Sequence, residues 1–362
     1  MKTYPLKSIT VEEATEKQFG LVDAITQVFE GRDILTRGDL GVVPGYNQPI
    51  TTHKVEKVLA QFFDAEAAML IRGAGTMAIR LALHAALPRN ATLLVHEAPV
   101  YPTTQVTLDM LGIQTIVADF NNLEALQKTL EKETIDGALV QLTRQKPDDS
   151  YDSQTVIQCI KTYAPNRPII TDDNYAVMKI PKIGCEQGAE LSCFSTFKLL
   201  GPEGVGCIVG DQKYIDILRK ENYSGGLQVQ GFEALDVLRG MVYAPVALAL
   251  SAKVTDEVCT RLNEGEVPGI QKAFIANAQS KVILVTFDDP IAQKVLEQAE
   301  KLGAAPNPVG AESKYEIVPM FYRVSGTFRA AIPDVETNTI RINPMRAGAN
   351  TIIRILKQAM EV

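Results

Sequence analysis

Seven short apolar runs recur along the middle of this chain: Ala67–Ile71, Thr92–His96, Gln114–Ala118, Gly137–Leu142, Pro168–Thr171, Leu191–Ser195 and Gly206–Val209. Stretches with helical spacing separate most of them, near Thr76–Ala86, Thr103–Leu111, Leu123–Glu131 and Ser153–Tyr163. Runs this short and this continuously apolar suit strands buried on both faces. Strands alternating with helices close into a mainly parallel sheet covered by those helices. The last runs stand too close together for a helix between them, so at least one strand is expected to run antiparallel. The expected class is therefore α/β, with a seven-stranded, mainly parallel sheet in a large domain.

The flanking segments are organised around that sheet. The first fifty residues read as an arm with one helix, roughly Val11 to Phe29, and a glycine- and proline-rich loop from Gly38 to Pro49 follows. From Thr52 to Phe63 a helical pattern puts Val55, Val58, Leu59 and Phe62 on one face. A long helical pattern covers Gln228 to Leu262. Beyond it lie a strand near Lys281–Phe287, a helix near Ile291–Leu302, further strands and a closing helix, Ala349–Met360. A length of 362 residues sets a prior of about two domains. The expected division is an arm over 1–50, a large domain over 51–227, and a connecting helix with a smaller α+β domain over 228–362.

Composition narrows the function classes. An apolar fraction of 46% with 22% charged residues is globular rather than disordered. A net charge of -7 disfavours nucleic acid, whose phosphates require a basic surface. No apolar run reads as long enough to span a bilayer, and Met1–Thr10 lacks the apolar core of a signal peptide, so a cytoplasmic protein is expected with no membrane partner. Cys159, Cys185, Cys193, Cys207 and Cys259 are odd in number and show no C-x-x-C spacing, so reduced thiols are expected rather than disulfides or zinc. His53, His84 and His96 have no metal-ligand spacing, and no metal is expected.

Three segments carry chemistry. In the first, the run ending at Ile71 enters Arg72-Gly73-Ala74-Gly75-Thr76 and then a helix. A helix N-terminus offers unpaired N–H groups and partial positive charge to a phosphate, and a glycine lets the backbone come close. The same residues, with Ala78, also match G-x-G-x-x-A, and Glu97 ends the next strand at a spacing that suits a nicotinamide dinucleotide. In the second, Ser195-Thr196-Phe197-Lys198-Leu199-Leu200-Gly201 sets a lysine among apolar neighbours. Such a setting favours the free amine and hence a Schiff base with an aldehyde. In the third, Thr171-Asp172-Asp173-Asn174-Tyr175 ends an apolar strand where ligands gather in open α/β sheets. One acid suffices to cap the turn, a role expected of Asp172. That leaves Asp173 to pair with a pyridinium nitrogen.

An anion-binding glycine turn, an aspartate on a later strand and a lysine after the next strand, in that order, resemble the fold-type I pyridoxal-phosphate enzymes. With Gly38-Asp39-Leu40-Gly41, Thr171 through Lys179 and Phe197 through Gly206, the whole chain closely resembles the bacterial YhfS family. The resemblance implies pyridoxal 5'-phosphate rather than a nicotinamide. It implies Lys198 as the cofactor lysine, Asp173 as the pyridine partner, and Gly75 and Thr76 with Ala74 as phosphate-cradling amides. Tyr101, in Ala98-Pro99-Val100-Tyr101, matches the stacking aromatic, and Ser195 a phosphate-contacting hydroxyl. Phe197 departs from relatives that place threonine or histidine there.

Two further segments resemble elements shared across a homodimer: Tyr46 in Pro44–Pro49, where Gln48 replaces the usual arginine, and Ser224-Gly225-Gly226. Arg341, in Ile340-Arg341-Ile342-Asn343-Pro344, matches the arginine that takes the substrate carboxylate, with Arg323 and Arg144 as alternatives. The implied function is a dimeric enzyme acting on an amino acid, with Lys198 as base at the α-carbon. An aminotransferase or related transferase ranks first, and a cystathionine-type β/γ-lyase or replacement enzyme is the alternative. A nicotinamide dehydrogenase and a non-catalytic pyridoxal-phosphate-binding protein rank lower.

Overall fold

The computed structural model describes residues 2–98, 100–277, 281–310, 312–332 and 334–361. The chain divides into two compact units. The larger comprises Thr15–Thr143 and Tyr151–Ala244; the smaller comprises Met1–Ala14, Arg144–Ser150 and Pro245–Val362.

The larger unit is built on a seven-stranded sheet: β1 (Ala67–Arg72), β2 (Thr92–His96), β3 (Gln114–Ala118), β4 (Gly137–Gln141), β5 (Ile169–Asp172), β6 (Leu191–Ser195) and β7 (Val205–Gly210). Their order across the sheet is β1-β7-β6-β5-β4-β2-β3. Only β7 opposes the rest, pairing antiparallel with both β1 and β6. Every residue of β5, β6 and β7 is buried, as continuous apolar runs demand, whereas β3 at the sheet edge is largely exposed.

Helices α1 (Val11–Val28), α2 (Ile50–Phe62), α3 (Ala74–Ala86), α4 (Pro102–Leu111), α5 (Leu123–Lys132), α6 (Ser153–Tyr163), α7 (Gln212–Glu221) and α8 (Gly231–Asn263) accompany it. Asn122 and Asp152 start α5 and α6 by accepting the N–H groups of Ala125 at 3.1 Å and Thr155 at 2.9 Å. Alternation along the strands feeds two cores. Leu93, Leu139, Ile170, Leu191 and Cys193 pack with Ala78 and Ala82 of α3. Leu94, Val140 and Ile169 pack with Leu126, Val156 and Ile157 of α5 and α6.

In the smaller unit β8 (Ile270–Ile275), β9 (Ile283–Phe287), β10 (Met320–Arg323) and β11 (Thr339–Asn343) form an antiparallel sheet in the order β10-β11-β9-β8. Helices α9 (Ala292–Lys301), α10 (Gly326–Ala331), α11 (Val335–Asn338) and α12 (Ala349–Met360) belong to this unit. Its core joins Ile283, Val285, Ile340 and Ile342 to Val295, Ile352 and Leu356.

The division cuts the chain differently from the three segments expected. Residues 15–50 belong to the larger unit, and the N-terminal segment joins the smaller one, where Ile9 and Ala14 pack on Ala249. The later boundary falls inside α8, because that helix is long enough to serve both units. By length and composition alone α8 could also cross a membrane, contrary to the expectation of no such run; 61% of its apolar window is buried within the protein.

One buried network anchors the glycine-rich loop of the larger unit. Glu56 of α2 is 2% exposed, and burial pushes its carboxyl up from its ordinary value against the pull of Arg219. Arg219 donates to Glu56 Oε2 at 2.9 Å and to Gln48 Oε1 at 3.0 Å, and the Gln48 amide donates to Glu56 at 2.9 Å. Arg219→Ala leaves that carboxylate unpaired and should cost about 3 kcal/mol of stability. Urea unfolding reads the loss, and Glu56→Gln in the same chain should recover part of it.

Candidate functional site

The anion turn forms as expected, with one change. Gly73 sits at φ 102 as the N-cap of α3, and Ala74 follows at φ 56. Gly73 and Ala74 both donate their N–H groups to the carbonyl of Gly204, at 2.7 and 3.1 Å. Ala74 is therefore spent on holding the turn to the loop before β7, which corrects its expected place among the phosphate amides. Gly75 and Thr76 precede the first intrahelical bond, made by Met77 N–H to Gly73 O at 3.2 Å, so their N–H groups remain for an anion. A Cβ on Gly75 would lie 2.6 Å from Asn174 Oδ1, so only glycine lets the turn approach that side chain.

Asn174 is the hub of the site and was not singled out in the sequence. Its Oδ1 accepts from Lys198 Nζ at 3.2 Å, from Ser195 N–H at 3.0 Å and from the Ser195 hydroxyl at 3.1 Å. Its Nδ2 donates to Asp172 Oδ1 at 2.8 Å. Lys198, half-buried just beyond β6, also donates to Ser195 Oγ at 3.0 Å and stands 4.7 Å from the Tyr175 ring centroid. One amide thus joins the lysine to an aspartate beside the N-terminus of α3.

That aspartate is Asp172, which corrects the expected assignment of Asp173. Asp172 pairs in register with Cys193, whose thiol meets the Ala78 carbonyl of α3, so its side chain is on the α3 face. Asp173 turns to the other face and is fully buried. Thr171 Oγ1 donates to it at 2.5 Å and Gly184 N–H at 2.8 Å. Desolvation pushes its carboxyl up to about 7, and those two hydrogen bonds only partly offset it. Asp172 does cap the turn, accepting Asn174 N–H at 3.1 Å, as expected, but it does so from the ligand face.

The strand order removes the dinucleotide reading. A G-x-G-x-x-A fingerprint needs adjacent parallel strands around its helix, whereas β1 and β2 here are separated by β7, β6, β5 and β4.

Residues 256–356 match the family model described as YhfS-like, C-terminal domain. The chain is 55% identical over 360 residues to YhfS of Escherichia coli (strain K12), covering 99% of each chain. The chain belongs to the YhfS-like family. A crystal structure described as the pyridoxal-5'-phosphate dependent protein YhfS from Escherichia coli superposes with a TM-score of 0.98 at 54% identity, over 100% of this chain and 99% of that one. A cystathionine gamma lyase (CalE6) from Micromonospora echinospora gives a TM-score of 0.69 at 14% identity, over 88% of each chain. A cystathionine gamma synthase from Xanthomonas oryzae pv. oryzae gives 0.69 at 16%, over 95% of this chain and 97% of that one. The last two share the fold.

Tyr101 is 57% exposed at the N-cap of α4, and Thr103 of the same turn meets Thr76 Oγ1 at 3.3 Å, which brings Tyr101's segment to the anion turn. Pro99 lies outside the described residues. Tyr46 packs on the His53 ring at 4.7 Å, while Gln48 turns inward to Glu56 and Arg219. Ser224, Gly225 and Gly226 are exposed. Their partner is the glycine-rich loop: Gln230 accepts from Gly41 N–H at 2.8 Å and donates to the Gly225 carbonyl at 3.4 Å. Arg341 lies on β11 of the smaller unit, its guanidinium 4.0 Å from the Tyr322 ring centroid and donating to the Arg323 carbonyl. Arg144 is buried in that unit and donates to the Tyr4 carbonyl.

The buried carboxyl of Asp173 makes stability pH-dependent. Its folded value of about 7 exceeds the unfolded value of about 3.9, so the folded chain holds a proton that the unfolded chain releases between them. Stability is lost as pH rises from about 4 to 7 and levels off above. Asp173→Asn should flatten that slope by up to about 1.4 kcal/mol per pH unit, read by urea unfolding across the window.

Proposed function

We propose that this chain is a pyridoxal-phosphate-dependent enzyme that eliminates or replaces a β- or γ-substituent of an amino acid. Dependence on the cofactor is the firm part, because the Escherichia coli relative of the same family is described as pyridoxal-5'-phosphate dependent. The residues here fit that group. Lys198 presents its amine, Gly75 and Thr76 start α3 with N–H groups ahead of its first intrahelical bond, the missing Cβ of Gly75 lets Asn174 come close, and Asp172 lies on the same face. The observation that carries the reading is the Asn174 amide, bonded at once to Lys198 and Asp172.

When bound, the cofactor supplies a protonated pyridine ring that accepts the electron pair left on the substrate α-carbon. Lys198 would hold the cofactor through its Nζ and, once displaced by the substrate amine, the freed Lys198 amine would take the α-proton as general base. Asp172 would pair with the pyridine nitrogen and keep its proton in place. Gly75 and Thr76 would hold the phosphate, and Ser195 would orient the Lys198 amine. The smaller unit carries Arg341, whose planar fork is of the kind that pairs with a carboxylate.

Elimination ranks above amino-group transfer, the reading placed first on sequence, because neighbours of this fold include a cystathionine gamma lyase and a cystathionine gamma synthase. A homodimer completes the reading: Leu40, Tyr46, Tyr223, Leu227 and Phe232 expose apolar surface on the loops and helix start of the larger unit. Free cysteines suit a cytoplasmic setting.

Borohydride should fix pyridoxal phosphate to Lys198, and Lys198→Ala should abolish that attachment. With O- or S-substituted amino acids the enzyme should release ammonia and a 2-oxo acid with no added acceptor. Product formed only in the presence of an added 2-oxo acid would instead establish an aminotransferase.

A further inference from the structure

His53 of α2 joins the buried network beneath the glycine-rich loop. Gln48 is 3% exposed, and its amide has one workable orientation. Its Oε1 accepts from Arg219 at 3.0 Å, and its Nε2 donates to Glu56 Oε2 at 2.9 Å. A reversed amide would set its N–H groups against the guanidinium and its oxygen against the carboxylate. Nε2 of Gln48 also lies 3.3 Å from Nδ1 of His53. Nδ1 must therefore accept, so the imidazole is neutral with its proton on Nε2. The Tyr46 ring stands on the same imidazole, with centroids 4.7 Å apart. The far end of the network is fixed to β1: Glu56 Oε1 accepts Leu70 N–H at 2.8 Å, and Arg219 donates to the Ala68 carbonyl at 2.9 Å. The near end is the loop itself. There Val43 N–H meets the Gln48 carbonyl at 3.2 Å, and the N–H groups of Tyr46 and Asn47 meet the Val43 carbonyl at 3.1 and 3.0 Å.

We propose that His53 is an acid-sensitive latch: a proton on its Nδ1 breaks the contact with Gln48 and releases the loop that carries Tyr46. That proton would face an N–H donor of Gln48. Turning the amide to offer its oxygen instead would forfeit both Glu56 and Arg219. The cations facing His53 also oppose the proton. With burial first, then Arg219 from α7 and Lys57 one turn along α2, they hold the imidazole below its ordinary value. Glu56, also on α2, is joined to it through Gln48, and the loop presents the Tyr46 ring. In the released loop His53 would titrate near the ordinary value of about 6.5. The latched form binds the proton less readily than the released form, so acid favours release. The latch is lost as pH falls through about 6.5, and the loss levels off below the lowered value of the latched imidazole. Tyr46 belongs to the apolar surface proposed for a homodimer, so release would loosen that surface, but the latch does not depend on it.

The test is amide hydrogen exchange of the full-length protein between about pH 5 and 8, with each rate divided by that of the unstructured peptide. Protection at Tyr46 and Asn47 should fall by up to about tenfold per pH unit below about 6.5 and stay level above it. His53→Asn keeps an oxygen acceptor in place of Nδ1 and cannot take up the proton, so its protection should stay level throughout. His53→Gln replaces it if that protein does not fold. Glu56, whose carboxyl burial pushes up, is the rival source of acid sensitivity. A fall that persists in the folded neutral variant assigns the effect to Glu56 and overturns the proposal, as does wild-type protection that stays level with pH. The chain has three histidines, so nitrogen NMR resolves the His53 ring directly. A proton on Nε2 at neutral pH is expected; one on Nδ1 overturns the tautomer and the latch with it. A monomeric protein that keeps the acid response defeats the dimer reading alone.

Discussion

Successive side chains on a strand point to opposite faces, and the site depends on that rule at the end of β5. Ile170 packs with α3, so two residues later Asp172 faces α3 as well. Thr171 and Asp173 face the other way, into a closed space where a hydroxyl and a backbone N–H fill both carboxyl oxygens. The same alternation on β6 sends Cys193 and Ser195 toward α3, which brings Ser195 and the following Lys198 to Asn174. Lys198, Asp172 and the turn before α3 come together because β5, β6 and α3 keep one register.

The large unit was legible because its strands are apolar on both faces and its helices supply breaks of ordinary length. Each strand of the seven-stranded sheet falls within a residue or two of an apolar run. What resisted reading was short or half-buried. Helix α7 carries a largely polar sequence with only Ile215 and Leu218 buried, and β8 has a half-exposed pattern. The unit boundary within α8 falls at Pro245, a proline inside the helix, while the helical pattern runs on through it.

In the site, residue types were legible and directions were not. Lys198, Ser195, Gly75 and Thr76 stand together as their motifs suggest. The pair Asp172-Asp173 could not be resolved by spacing, because either residue ends the strand and only the register with Cys193 separates them. Ala74 looked like its neighbours until its N–H was found on the Gly204 carbonyl. The roles of Asn174 arise from Ser195 at the end of β6 and Lys198 just beyond it, 21 and 24 residues further along. Gln48 carries a different lesson: its side chain serves the buried Glu56–Arg219 pair of its own unit.

The central claim is that Asp172, not Asp173, meets the pyridine nitrogen, and a paired comparison of the two amide variants tests it directly. Both proteins would be loaded with pyridoxal phosphate, and cofactor retention and absorption spectrum would be recorded. Asp172→Asn should weaken cofactor retention by about tenfold or more, the loss of one charge-assisted contact, and alter the spectrum. Asp173→Asn should bind the cofactor with the wild-type spectrum. The reverse pattern, with Asp173→Asn losing the cofactor and Asp172→Asn keeping it, would contradict the account.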